Sequence, residues 1–174
     1  LAVRPLDEVR CARGAPSADL LPAEPSISQH TGTFNGKTVA YTTEAGWIPI
    51  RDDGKVVAKM FYMGYTKNGV TDVSQRPLII SFNGGPGTAS VWMHMGFTGP
   101  RRVTYDDDGF QQKPPAGIED NPQSILDVAD IVYLDPIGTG FSRMVEGEDL
   151  HKFHGKLADI QSVGDFILTY VNKK

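Results

Sequence analysis

Five consecutive residues, Asn83-Gly84-Gly85-Pro86-Gly87, carry the strongest chemical signal in the chain. Three glycines and a proline in five positions cost chain entropy unless the backbone must follow an unusual path. A turn without Cβ atoms lets another molecule approach the main chain, and it leaves backbone N–H groups free to face it. Fixed N–H groups stabilise negative charge that develops on an oxygen during acyl transfer. Taken alone, the turn also reads as a tight strand-to-helix connection with no ligand. A phosphate loop fits poorly, because no Lys-Ser or Lys-Thr pair follows and Pro86 removes a donor.

The groups that would work with such donors are mostly absent. A nucleophile elbow needs Gly-x-Ser-x-Gly or a close relative on a strained turn. Ser90 follows Thr88-Ala89 and Ser142 precedes Arg143, so neither has the required small neighbours. His151 and His154 stand three apart, but no third ligand follows at a metal-motif spacing, and a solvated helix start is the simpler reading. His30 and His94 read as strand or packing histidines. Cys11 is the single cysteine, so no internal disulfide can form. No metal and no organic cofactor is expected.

The elements that must position the turn follow from periodicity. Pro77-Leu78-Ile79-Ile80-Ser81-Phe82 is a continuously apolar run, the pattern of a central strand buried on both faces. Ile131-Val132-Tyr133-Leu134-Asp135 is a second such run, again followed by a proline-glycine turn. In a sheet of parallel strands, ligands bind beyond the carboxyl ends, where the glycine turn would lie. Upstream, Asn35-Gly36 predicts a type I′ hairpin, Thr38–Thr42 alternates, and Val56–Thr66 predicts a longer strand entered through Arg51-Asp52-Asp53-Gly54. At the other end, Leu157, Ile160, Val163, Ile167, Leu168 and Val171 predict one apolar face of a helix. The expected fold class is α/β, a mixed sheet that opens with antiparallel strands and continues with parallel strands and crossovers. Residues 1–26, with four prolines, read as a linker or propeptide remnant, and 27–174 as the folded unit.

Bulk properties narrow the partners. With 17 basic and 21 acidic residues the chain is mildly acidic, which argues against nucleic acid. No run reaches the roughly 18 apolar residues of a membrane span.

With these motifs in view, the chain resembles the serine carboxypeptidase family of α/β-hydrolases over roughly residues 30–174. The resemblance rests on Asn83-Gly84-Gly85-Pro86-Gly87, Ser90 and Gly99-Pro100. It rests equally on a second block: Asn121-Pro122, Ser124–Asp127, Asp130–Pro136 and Gly138-Thr139-Gly140-Phe141-Ser142. Asp159-Ile160, Val163, Asp165-Phe166 and Tyr170 look like the family's next element. The wording around Ser90-Val91-Trp92 and Gly99–Val103 is closer to bacterial members.

The resemblance implies that the N–H of Gly85 forms half of an oxyanion hole. It also implies that Asn83 and the N–H of Gly84 hold the free α-carboxylate of a peptide substrate. Two positions depart from the eukaryotic pattern: Phe97 stands where those members carry a glutamate of the carboxylate-binding network, and Thr88 where they carry a cysteine. Arg101 or Arg102 is the expected substitute partner for the substrate terminus. In the family the triad comes later in the chain, so Asp127, Asp130 and Asp135 are expected to be structural. The implied activity is removal of C-terminal residues through an acyl-enzyme, with this chain lacking the triad, inactive alone and dependent on the rest of the same protein. A related acyltransferase or esterase, or a non-catalytic remnant, stays open beside it. Export to periplasm or medium is the family-based expectation. The apolar sheet edge left by missing later strands is expected to make the chain poorly soluble alone.

Overall fold

The computed structural model describes residues 17–84, 87–110 and 117–173. Asn35 and Gly36 take φ of 49° and 77°, and Asp53 and Gly54 take 46° and 79°. Positive φ at both central residues is the type I′ geometry, whose twist suits paired strands. The two turns join β1 (Ser26–Phe34), β2 (Lys37–Asp52) and β3 (Lys55–Lys67) into an antiparallel meander.

After β4 (Leu78–Ser81) the chain crosses over through a short helical stretch that opens with α1 (Val91–Met93), and then through a small hairpin of β5 (Arg101–Val103) and β6 (Ile118–Asp120). It re-enters the sheet as β7 (Asp130–Leu134), parallel to β4 and antiparallel to β3. The order is β1-β2-β3-β7-β4, and β8 (Arg143–Met144) continues along β3 where β7 leaves it. This is the mixed α/β sheet that the sequence predicts.

β7 is buried on both faces, as its apolar run requires. Val132 and Leu134 join Ile48, Met60, Tyr62, Phe166 and Tyr170 in one cluster, while Ile131 and Tyr133 join Phe34, Tyr41, Tyr65 and Leu126 in the other. The same expectation fails for β4. It is the outer strand of the sheet, and Leu78 and Ile79 are 39% and 38% exposed. A continuous apolar run records what a strand can bury, and β4 has a neighbour on one side only among the described residues.

Helix α2 (Lys156–Lys173) also differs from its predicted face. Val163, Phe166 and Tyr170 are buried, with Ile167 packed beside them, whereas Leu157, Ile160, Leu168 and Val171 are exposed. The aromatic residues decide the orientation. Phe166 and Tyr170, one turn apart, stack with centroids 5.9 Å apart and meet Tyr62 edge-on. Aromatic rings bury more area than the aliphatic stripe and so select the docking face. Gly64 in β3 makes room, since a Cβ there would touch the Tyr170 hydroxyl.

The acids set aside as structural are committed to internal partners. Asp130 Oδ1 accepts from Arg76 Nε at 2.6 Å, and Arg76 Nη2 also donates to the carbonyls of Leu126 and Ala129. Asp127 accepts from Asn35 Nδ2 and Lys37 Nζ, each at 3.0 Å. These bonds pin the start of β7 and the first hairpin to one loop.

Candidate active site

The glycine turn leaves the carboxyl end of β4 beside the carboxyl end of β7, where parallel strands open a ligand crevice. Gly85 and Pro86 lie outside the described residues, so the expected oxyanion donor has no geometry to report. Around them, Gly84 and Gly87 are exposed and Asn83 is half-buried. A Cβ on Gly84 would meet nothing within 4 Å, so open space faces that main chain.

Asn83 is oriented by the helical stretch that follows. Its Oδ1 accepts from the Met93 N–H at 3.3 Å. With the oxygen engaged, Nδ2 is the end of the carboxamide left to donate, which suits an anion. The stretch itself is held from below. His94–Thr98 winds as a π-helix, an insertion that often marks functional ground. His94 Nε2 meets the Tyr65 hydroxyl at 2.5 Å and its ring stacks on Tyr133 at 4.6 Å. Burial lowers the His94 pKa to about 4, so the ring is neutral at pH 7. Burial also raises the pKa of Tyr65 and takes that of Tyr133 up to about 12. His94 is the packing histidine that the sequence predicts, but the tyrosine cluster around it has no sequence signal. The two tyrosines come from separate strands, β3 and β7, and no local spacing signals them.

Two serines stand near the turn, and both are structural. The Ser90 hydroxyl donates to the Leu134 carbonyl, and its N–H donates to Asp135 Oδ1 at 2.8 Å. The Ser142 hydroxyl donates to the Asp135 carbonyl and accepts from the Phe61 N–H. Both residues are buried, so neither presents a free nucleophile. Asp135 braces the following turn as expected: Oδ2 accepts from the Phe141 N–H at 2.9 Å.

Arg101 and Arg102 sit on the β5–β6 hairpin facing their cross-strand partners. Arg102 Nε lies 2.8 Å from Glu119, and Arg101 Nε lies 3.5 Å from Asp120 in an exposed pair. Phe97 is 69% exposed, and its carbonyl accepts from Asn121 Nδ2 at 2.8 Å. His151 lies within a 3₁₀ turn (Leu150–Lys152) and His154 just beyond it, and among the described residues no group of three His, Cys, Asp or Glu side chains gathers. A cavity lined by Ile50, Val57, Phe153 and Gln161 lies on the α2 side of the sheet, and none of the described glycine-turn residues lines it.

Comparison with known proteins agrees with this geometry. The family described as serine carboxypeptidase matches residues 33–172. Pheromone-processing carboxypeptidase KEX1 of Saccharomyces cerevisiae is 32% identical over 137 residues, covering 72% of this chain and 18% of that protein. The KEX1 protein of Ogataea parapolymorpha is 46% identical over 101 residues, covering 56% of this chain and 15% of that protein. The crystal structure of a prohormone-processing carboxypeptidase from Saccharomyces cerevisiae superposes with a TM-score of 0.57 and 30% identity, over 75% of this chain and 28% of that one. The chain thus spans less than a fifth of the curated relatives named here. With a family match over residues 33–172 and the motif turns placed at the carboxyl ends of parallel strands, the chain belongs to the serine carboxypeptidase family.

Proposed function

We propose that this chain forms the carboxylate-binding and oxyanion-hole side of the cleft of a serine-type carboxypeptidase. The observation that carries the reading is the Asn83 carboxamide, oriented through the Met93 N–H so that Nδ2 stands free to donate beside the exposed main chain of Gly84. Donors fixed in this way bind a free α-carboxylate, which is how an exopeptidase measures its distance from a chain end. One residue inward, the N–H of Gly85 faces the scissile carbonyl and stabilises the tetrahedral oxyanion. The charge of the terminus is completed by Arg101 or Arg102. Arg101 has the longer and more exposed ion pair, so it is the arginine more easily exchanged from its carboxylate to a substrate.

The nucleophile, its base and its acid belong to a part of the protein outside these 174 residues, and the chain by itself has no turnover. Hydrolysis proceeds when an activated serine attacks the last peptide carbonyl and water then releases the acyl-enzyme. The reading needs no metal and no organic cofactor, and its site of action is outside the cytosol. No helix among the described residues is long and apolar enough to cross a membrane.

The test uses a longer form of the protein that carries this chain, incubated with a peptide bearing a free C-terminus and with its C-terminal amide. Mass spectrometry should show stepwise loss of single C-terminal residues from the first and little from the second. Acyl transfer to an added alcohol without peptide trimming would assign an acyltransferase instead. No reaction with either, from a folded protein, would assign a non-catalytic relative.

A further inference from the structure

Beyond the turn, two cations meet across one strand pair. Lys59 in β3 and Arg143 in β8 stand directly opposite each other across an antiparallel pair. Like charges in that position repel unless something neutralises them. Among the described residues no carboxylate lies within ion-pair distance of either. Their acceptors are neutral carbonyls: Leu21 for Lys59 Nζ, and Gly140 and Ser142 for Arg143 Nη1. Arg143 Nε is buried without a partner, so the guanidinium spends only one of its donor nitrogens.

An aromatic shelf adjoins the pair. Phe61 lies two residues from Lys59 on the same strand face, and the rings of Trp47 and Phe141 are tilted against it with centroids 5.3 and 5.1 Å away. Phe141 is 61% exposed, and its carbonyl accepts from Trp47 Nε1 at 3.0 Å. One carboxylate links the shelf to the segment that follows the glycine turn. Asp135 binds the N–H of Phe141 with one oxygen and the N–H of Ser90, behind the glycine turn, with the other.

We propose that Lys59 and Arg143, framed by Trp47, Phe61 and Phe141, form a subsite for an acidic side chain of the peptide substrate. The cations supply the complementary charge, and the exposed Phe141 ring supplies apolar cover for the neighbouring peptide residue. Asn83 follows the carboxyl end of β4 and Phe141 that of its parallel neighbour β7, so the turn and the shelf share one end of the sheet. Calling the ligand a substrate rests on the carboxypeptidase reading. The binding itself does not.

The experiment therefore uses a probe without a free terminus: N-acetyl-Phe-Glu-Phe-amide, against its Gln counterpart. Emission is read as the part that a Trp47→Phe variant loses, in a Trp92→Phe background that leaves Trp47 as the one tryptophan of these 174 residues. The Glu probe should change Trp47 emission saturably, about tenfold more tightly than the Gln probe, and less tightly as salt is raised. Arg143→Gln should remove that preference. Lys59→Gln, which leaves both carbonyl bonds of Arg143 in place, should weaken it and guards against a misfolded arginine variant. Equal affinity for the two probes, or no emission change with either, overturns the subsite. Binding of the Glu probe by a protein that trims no free-acid peptide leaves the subsite standing and sinks the peptidase reading instead.

Discussion

Asp135 holds the main-chain N–H of Ser90 at 2.8 Å and so ties the glycine turn to the end of β7. Its second oxygen ties down the turn that follows, through Phe141. One buried carboxylate thus sets the distance between the loop that follows β4 and the loop that follows β7. Removing it leaves two buried or half-buried N–H donors without an acceptor. Asp135→Ala should therefore destabilise the fold by about 3 kcal/mol, read as a lower urea midpoint with an unchanged slope. A midpoint equal to the parent would show that the carboxylate holds nothing.

Two glycines give opposite expectations for the same substitution. Gly140 takes φ +47°, and a Cβ there would overlap the Asp135 carboxylate. Gly140→Ala should cost ~2 kcal/mol or more by forcing the turn apart. Gly164 lies inside α2 with nothing within 4 Å of a built Cβ. Gly164→Ala should stabilise by about 0.5–1 kcal/mol through helix propensity alone. Thermal melts of the two variants, moving in opposite directions from the parent, check both.

The exposed edge of β4 predicts self-association. Leu78 and Ile79 are more than a third exposed on an outer strand that follows no charged or bulged guard within Leu78–Ser81. Ile79→Lys should place a charge on that edge and lower the aggregated fraction seen by light scattering at equal concentration. Unchanged scattering would move the source elsewhere, to the exposed Leu157, Ile160, Leu168 and Val171 on α2.

What the sequence disclosed was the part with local spelling. Asn35-Gly36 announces its hairpin because the φ values it needs favour those two residue types. The run Ile131–Leu134 announces a doubly buried strand, and Asp135 its bracing role. The failures came where partners are distant. Whether Leu78–Ser81 is central or outer depends on which strands exist beside it, and which stripe of α2 docks depends on Tyr62 and Gly64 in β3. The like-charge pair Lys59–Arg143 is 84 positions apart in the chain and appears only through the β3–β8 register. For the candidate site, Asn83 and Gly84 come from the family resemblance, while the hold on Asn83 runs through Met93, in a stretch packed by Tyr65 and Tyr133 from the sheet, which no local spelling announces.

If Arg101 partners the substrate terminus, its loss should be felt only by substrates that carry one. In a longer, active form, Arg101→Ala should raise KM for a free-acid peptide several-fold and leave KM for the corresponding ester or amide unchanged. Arg102→Ala should do less, because Glu119 already holds Arg102 at 2.8 Å. An unchanged KM ratio in both variants removes the arginines from the site and leaves the carboxylate to Asn83 and Gly84.

His94 makes stability depend on pH, with a definite sign. In the unfolded chain a histidine takes up its proton near pH 6.5, whereas burial holds folded His94 neutral down to about 4. Above 6.5 both states are neutral at this position and its contribution is constant. Between 6.5 and 4 only the unfolded state gains the proton, so stability falls as pH falls, by at most ~1.4 kcal/mol per pH unit and about 3 kcal/mol over the window. Below 4 both states are protonated and the contribution is lost. His94→Gln removes the titration while keeping a polar atom toward Tyr65, so its stability should change less between pH 6.5 and 4 than that of the parent. Urea midpoints of the two proteins across that range decide it. Parallel curves would mean that His94 is not held neutral beneath the turn. A parent curve that drops toward the variant on acidification would tie the packing under Asn83 to a neutral imidazole.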